Sequence, residues 1–179
     1  MPLPILFLVP TALTAIANVA ATAIGVAVTK STVESFVDEV VRDTVEEPAI
    51  GSVVYTELML GGLAEHSGIY IGDNQIVELS GQGIIQVVSP DEFISGGTGL
   101  CIHVSCHDTI PVGCTAAARR AQDSISDRRD YSFLTDNCHQ FTAGCLTGDF
   151  EGHDNFLWFL KGVAEKELGA DTWRVWKRS

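Results

Sequence analysis

The apolar positions change period along the chain, and the changes mark the elements. Residues 1–29 carry no charged side chain, and from Thr11 to Thr29 the chain is apolar and small. Lys30 ends this arm. Ser31-Thr32-Val33-Glu34 then reads as a capping box, and Val33, Phe36, Val37, Val40 and Val41 form one apolar stripe at helical spacing. Residues 31–47 are therefore expected as an amphipathic helix with an acidic outer face, closed by Pro48. From Gly51 the period becomes that of a strand. Strands are predicted over 52–58, 67–71, 75–79, 83–88 and 100–105, with Gly72-Asp73-Asn74 as a tight turn between the second and third. Pro111 suits the first turn of a helix running to about Ser126, with Ala117, Ala118, Ala121 and Ile125 inward. Asn137 is placed to cap a helix over 138–146 that stops at Gly148, and Asp154-Asn155 to open a last one.

A helix, a run of antiparallel strands and then more helices make an α+β chain. The division expected is an apolar arm with an acidic helix over 1–47, a catalytic domain over 48–148 and a helical extension over 149–179. The run Phe156-Leu157-Trp158-Phe159-Leu160 is expected as core of that last helix rather than as a lipid-facing surface.

The arm admits three readings. Thr11–Thr29 is about long enough to span a bilayer, and Ala17, Ala21 and Gly25 repeat at the spacing that lets helices approach closely in a membrane. It could equally be a helix buried in protein, or a cleaved signal, although no Lys or Arg precedes the apolar run. Only Lys30 is there to set an orientation. Membrane contact through the arm and a cytoplasmic location both stay open.

The balance of 11 Lys and Arg against 23 Asp and Glu gives a net charge of −12. That argues against nucleic acid as a partner, because backbone binding runs on clustered cations. Arg119, Arg120, Arg128 and Arg129 are expected on solvated helix faces. The five cysteines are an odd number, not a disulfide scaffold. Cys138 and Cys145, seven residues apart on one helix, lie about 10 Å apart and cannot bridge.

Cys138 follows the polar cap Thr135-Asp136-Asn137 at a helix start. There the unpaired N–H groups and the helix dipole favour a thiolate, and the same groups could hold an oxyanion. Cys101, Cys114 and Cys145 fit the ordinary role of a small buried residue better. Folding the hairpin about residues 72–74 brings His66 and Glu78 within two residues of direct opposition, close enough for a carboxylate to orient an imidazole. Cys138 as nucleophile, His66 as base and Glu78 as orienter is the set this suggests; a polar edge His and a solvated Glu are the plainer alternative. Cys101-x-His103-x-x-Cys106-His107 resembles a metal motif, but strand alternation puts Cys101 and His103 on one face and the rest in a loop. No metal and no cofactor are expected. GxSxG, Walker and HExxH motifs are absent from the sequence.

The segment from Glu65 through Gly72-Asp73-Asn74 to Leu79, with the entry Pro48–Val54 and with Asn137-Cys138-His139-Gln140-Phe141 downstream, resembles the lecithin:retinol acyltransferase-like proteins. These are circularly permuted members of the NlpC-type papain-like superfamily. The resemblance implies a permuted papain-like domain and acyl transfer through a thioester on Cys138, with a lipid ester or a peptide or isopeptide bond as substrate. Two departures bear on specificity: Glu78 stands where many lipid-acting members carry a second His, and His139-Gln140 replaces the commoner Glu-His pair. A peptidase acting on cell-wall or protein amides, and a binding module with a vestigial site, are the competing functions.

Overall fold

The computed structural model describes residues 43–58, 65–95, 101–130, 137–152 and 156–178. The apolar arm and most of the expected acidic helix lie outside these residues. The described residues belong to one compact unit, Asp43–Ser179, built of mixed α and β structure. Its elements are β1 (Thr44–Val45), β2 (Val53–Glu57), β3 (Glu65–Gly72), β4 (Gln75–Leu79), β5 (Ile85–Val88), α1 (Pro90–Ser95), β6 (His103–His107), β7 (Ile110–Pro111), α2 (Thr115–Asp123), α3 (Cys138–Thr147), α4 (Leu157–Leu168) and β8 (Thr172–Trp176).

The strands form one sheet in the order β1-β8-β6-β2-β3-β4-β5, with β7 beside β6. All pairs are antiparallel except β1 with β8. Strand alternation sends side chains to two faces. Val53, Ile69, Val77, Leu79 and Ile85 point to one face and pack against Ala117 and Ala121 of α2, Phe141 and Leu146 of α3, and Leu160 and Ala164 of α4. Val54, Tyr70, Ile76, Val88 and Val104 point to the other, where they meet Phe93 of α1 and Trp176. Arg120 ties two helices of the first layer together. Its guanidinium donates to the Cys145 and Leu146 carbonyls at 2.6 Å each, placing a cation on the negative end of α3. It is thus a clamp and not the solvated face the sequence suggested.

Four other expectations change. Thr44–Val45 is strand where helix was expected, because its edge pairs with β8. Pro111 lies in β7 opposite Cys106 rather than in a helix; at that short edge its missing N–H goes unused. Cys106 and His107 belong to β6 instead of a loop, held there by β7 and β8. The aromatic run at the start of α4 is mostly outward: Leu160 is fully buried, but Phe156, Trp158 and Phe159 are 43, 66 and 39 % exposed. A helix turns only one stripe inward, and five consecutive apolar residues cannot all share it. Among the described residues no helix is long and apolar enough to cross a membrane.

Candidate active site

The hairpin β3–β4 turns through Asp73 and Asn74, whose φ angles of 51° and 55° are left-handed, as a tight turn of the primed type demands. The register pairs Gly68 with Glu78, so His66 and Glu78 share a face two residues out of opposition. His66 Nε2 and Glu78 Oε2 are 2.7 Å apart. Glu78 is 7 % exposed and its other oxygen accepts from Gln86 Nε2 at 2.9 Å. The Phe93 ring of α1 lies 4.9 Å from the His66 ring. Gly68 makes that approach possible: a Cβ there would stand 3.3 Å from Phe93 and 2.7 Å from the Val77 carbonyl oxygen.

Cys138 comes from the opposite layer. Asn137 caps α3, its side chain accepting from the backbone N–H groups of His139 at 2.9 Å and Gln140 at 3.2 Å. The Phe141 N–H is taken by the Asn137 carbonyl. Two of the N–H groups expected to face an oxyanion are therefore spent on the cap, which leaves that of Cys138 itself. The sulfur lies 4.0 Å from the Glu65 carbonyl oxygen, at the start of β3. The pairs with β4 begin at Gly68, while residues 65–67 stay paired with β2. His66 is coupled electrostatically to Cys138 as well as bonded to Glu78. With Nε2 serving Glu78, Nδ1 is the remaining ring nitrogen. Burial pushes the imidazole's pKa down, but hydrogen bonds and charge from Cys138 and Glu78 outweigh it and raise the pKa to about 10.

A second chain of bonds fixes the base of α3. Thr142 donates its hydroxyl proton to the Cys138 carbonyl at 2.8 Å. Ser67, 3.1 Å from the Thr142 hydroxyl, must then be the donor of that pair. Its oxygen is left to accept from His139 Nδ1 at 2.9 Å. His139 thus carries a proton on Nδ1, and burial, aided by His66, lowers its pKa to about 4.

The other cysteines sit apart from this chemistry. Cys145 is fully buried, and burial pushes its thiol up to about 12. In the metal-like motif, His103 stacks on Tyr55 and His107 pairs with Asp171 at 2.9 Å. No three His, Cys, Asp or Glu side chains among the described residues come together to hold a metal ion.

Three neighbours of the site escaped the sequence reading: Gln86, Phe93 and the Ser67–Thr142–His139 chain. Gln86 had a signal. Gly81-Gln82-Gly83 marks a turn centred on Gln82, and folding about it sets Gln86 opposite Glu78.

A search of curated proteins returned no match. The family model described as lecithin retinol acyltransferase matches residues 46–151, well over half of the 179 residues, and spans both the hairpin and α3. Members of that family are acyltransferases, and on this match the chain belongs to the lecithin retinol acyltransferase family.

Proposed function

We propose that this chain is a cysteine-nucleophile acyl hydrolase or acyltransferase in which Cys138 carries the acyl group as a thioester, His66 moves the proton and Glu78 orients His66. The fold would then be a permuted papain-like one, with residues 48–148 supplying the machinery. The observation that carries the reading is the 2.7 Å bond of His66 Nε2 to Glu78 on the strand end against which the sulfur of Cys138, at the capped start of α3, lies 4.0 Å from the Glu65 carbonyl oxygen.

The steps balance with these residues alone. His66 holds the proton of Cys138 on Nδ1, and the thiolate attacks the substrate carbonyl carbon, forming a C–S bond. The carbonyl oxygen takes the negative charge, and the Cys138 backbone N–H donates to it. Collapse of this intermediate breaks the bond to the leaving alcohol or amine, which receives the proton from His66. Water or an acceptor then gives its proton to His66 and attacks the thioester, and the thiolate departs. Glu78 keeps the imidazole in register and stabilises its charged form throughout. The family points to a lipid ester as the substrate, and the apolar arm would serve as the lipid contact.

Incubation with an acyl ester probe followed by intact-mass measurement tests the reading. One acyl adduct is expected on Cys138, and turnover of that ester should fall about a thousandfold or more in Cys138→Ser. An adduct that persists in Cys138→Ser would remove the assignment. Faster acylation by a peptide amide than by the ester would move the substrate class to peptides.

A further inference from the structure

The carboxylate of Glu78 is held from two sides. One oxygen faces His66 at 2.7 Å, and the other accepts from Gln86 Nε2 at 2.9 Å. Glu78 and Gln86 are a direct cross-strand pair of β4 and β5, so their side chains leave the sheet on one face. That face opens into a cleft of about 470 Å³ whose lining includes His66, Glu78, Gln86, Ser80, Glu92 and Phe93. A carboxylate at the edge of such a cleft, anchored at one oxygen only, can rotate about its last bond and draw water between itself and the imidazole. Donors on both oxygens fix its plane.

We propose that Gln86 is a positioning residue, which locks the Glu78 carboxylate so that Oε2 stays on His66 and the imidazole keeps the proton it takes from Cys138. The inference rests on the reading of His66 as the base of Cys138. Gln86 touches neither the sulfur nor the imidazole, and acts through Glu78 alone. The charged and titratable groups around His66 are few. Cys138 and His139 come from α3, Glu78 from β4 and Glu92 from α1. Glu57 and Glu65 lie on the neighbouring strand ends, with Lys161 of α4 donating to the Tyr55 hydroxyl at 3.1 Å and acting on Glu65 by its charge. Only Glu78 among them is bonded both to His66 and to a second side chain.

The test needs no known substrate. The ring of His66 is followed by NMR from about pH 5 to about pH 11, identified by its loss in His66→Asn. Iodoacetamide alkylation of Cys138 near neutral pH is followed by peptide mass spectrometry. Gln86→Leu removes the amide at similar volume, and Gln86→Met is a second, more adaptable replacement. Both should fold as the parent does by circular dichroism. Both should lower the His66 titration by about one unit and slow Cys138 alkylation several-fold. Glu92→Gln is the control for charge in the cleft. Its carboxylate is engaged by the Ser89 N–H at 2.8 Å and hydroxyl at 2.7 Å, and the variant should leave the titration in place. A titration that stays put in both Gln86 variants would overturn the proposal. So would a rise, as expected if the amide only drew charge from Glu78. Loss of the Cys138 adduct assignment in Cys138→Ser would instead strike the underlying mechanism, so the two failures are distinct.

Discussion

His66 and His139 are both largely buried, and both sit close to Cys138, yet their pKa values move in opposite directions. Burial works against the imidazolium in each. His66 lies on the α1 face, where Nε2 meets the Glu78 carboxylate, and with the influence of Glu78 and Cys138 its pKa rises to about 10. His139 lies on the helix face, where its Nδ1 meets the Ser67 hydroxyl, and its pKa falls to about 4. A hydroxyl offers no net charge to offset desolvation, whereas a carboxylate does. Partner chemistry, and not depth, sorts the two residues. One becomes a candidate base and the other a fixed strut between β3 and α3.

The contrast can be broken most directly at Glu78. Glu78→Gln keeps the shape but removes the charge. The His66 titration should fall by several units, with turnover of an acyl ester down about a hundredfold to ten-thousandfold and the fold intact. A His66 ring that still titrates near 10 would show that the sulfur alone holds the proton.

A smaller effect separates the two histidines by stability. The folded pKa of His139 lies below its unfolded value of 6.5, so its contribution is present above pH 6.5 and is lost as pH falls toward 4. That loss should reach about 3 kcal/mol in chemical denaturation, and His139→Asn should flatten it. His66 has the reverse sign. Its folded pKa is raised, so its contribution is complete below pH 6.5 and is lost as pH rises through 10. An acid limb unchanged in His139→Asn would mean that other groups set it.

The mildest test leaves both histidines alone. Phe150 folds back on α3, and a Cβ on Gly144 would stand 2.4 Å from its ring and 3.0 Å from its Cα. Gly144→Ala should cost about 1 to 2 kcal/mol in denaturation and leave the His66 titration unmoved. A shifted titration would mean that the far side of α3 governs where its first turn sits.

How much of this could be read in advance differs by element. The turn at 72–74 and the alternation around it were enough to set His66 and Glu78 on one face, because a hairpin's register follows from its own turn. The cap was equally local: Asn137 before Cys138 is a signal within three residues. Strand β8 was not legible. It lies between β1 and β6, so its pairing joins segments more than sixty residues apart in sequence. No local pattern specifies such a neighbour. Phe156, Trp158 and Phe159 were misjudged for a related reason: hydrophobicity alone does not say which stripe of a helix meets the sheet.

The sequence by itself determined the parts whose geometry is short-range: the hairpin carrying His66 and Glu78, the capped helix start carrying Cys138, and the family to which both belong. Only the tertiary structure decided that α3 brings Cys138 to the start of β3, the strand that carries His66, from the opposite layer of the sheet. It also decided which of two buried histidines has its pKa raised and which lowered. Both outcomes depend on the packing of distant segments, and a charge state in the interior is set by the group packed against it, which sequence spacing does not encode.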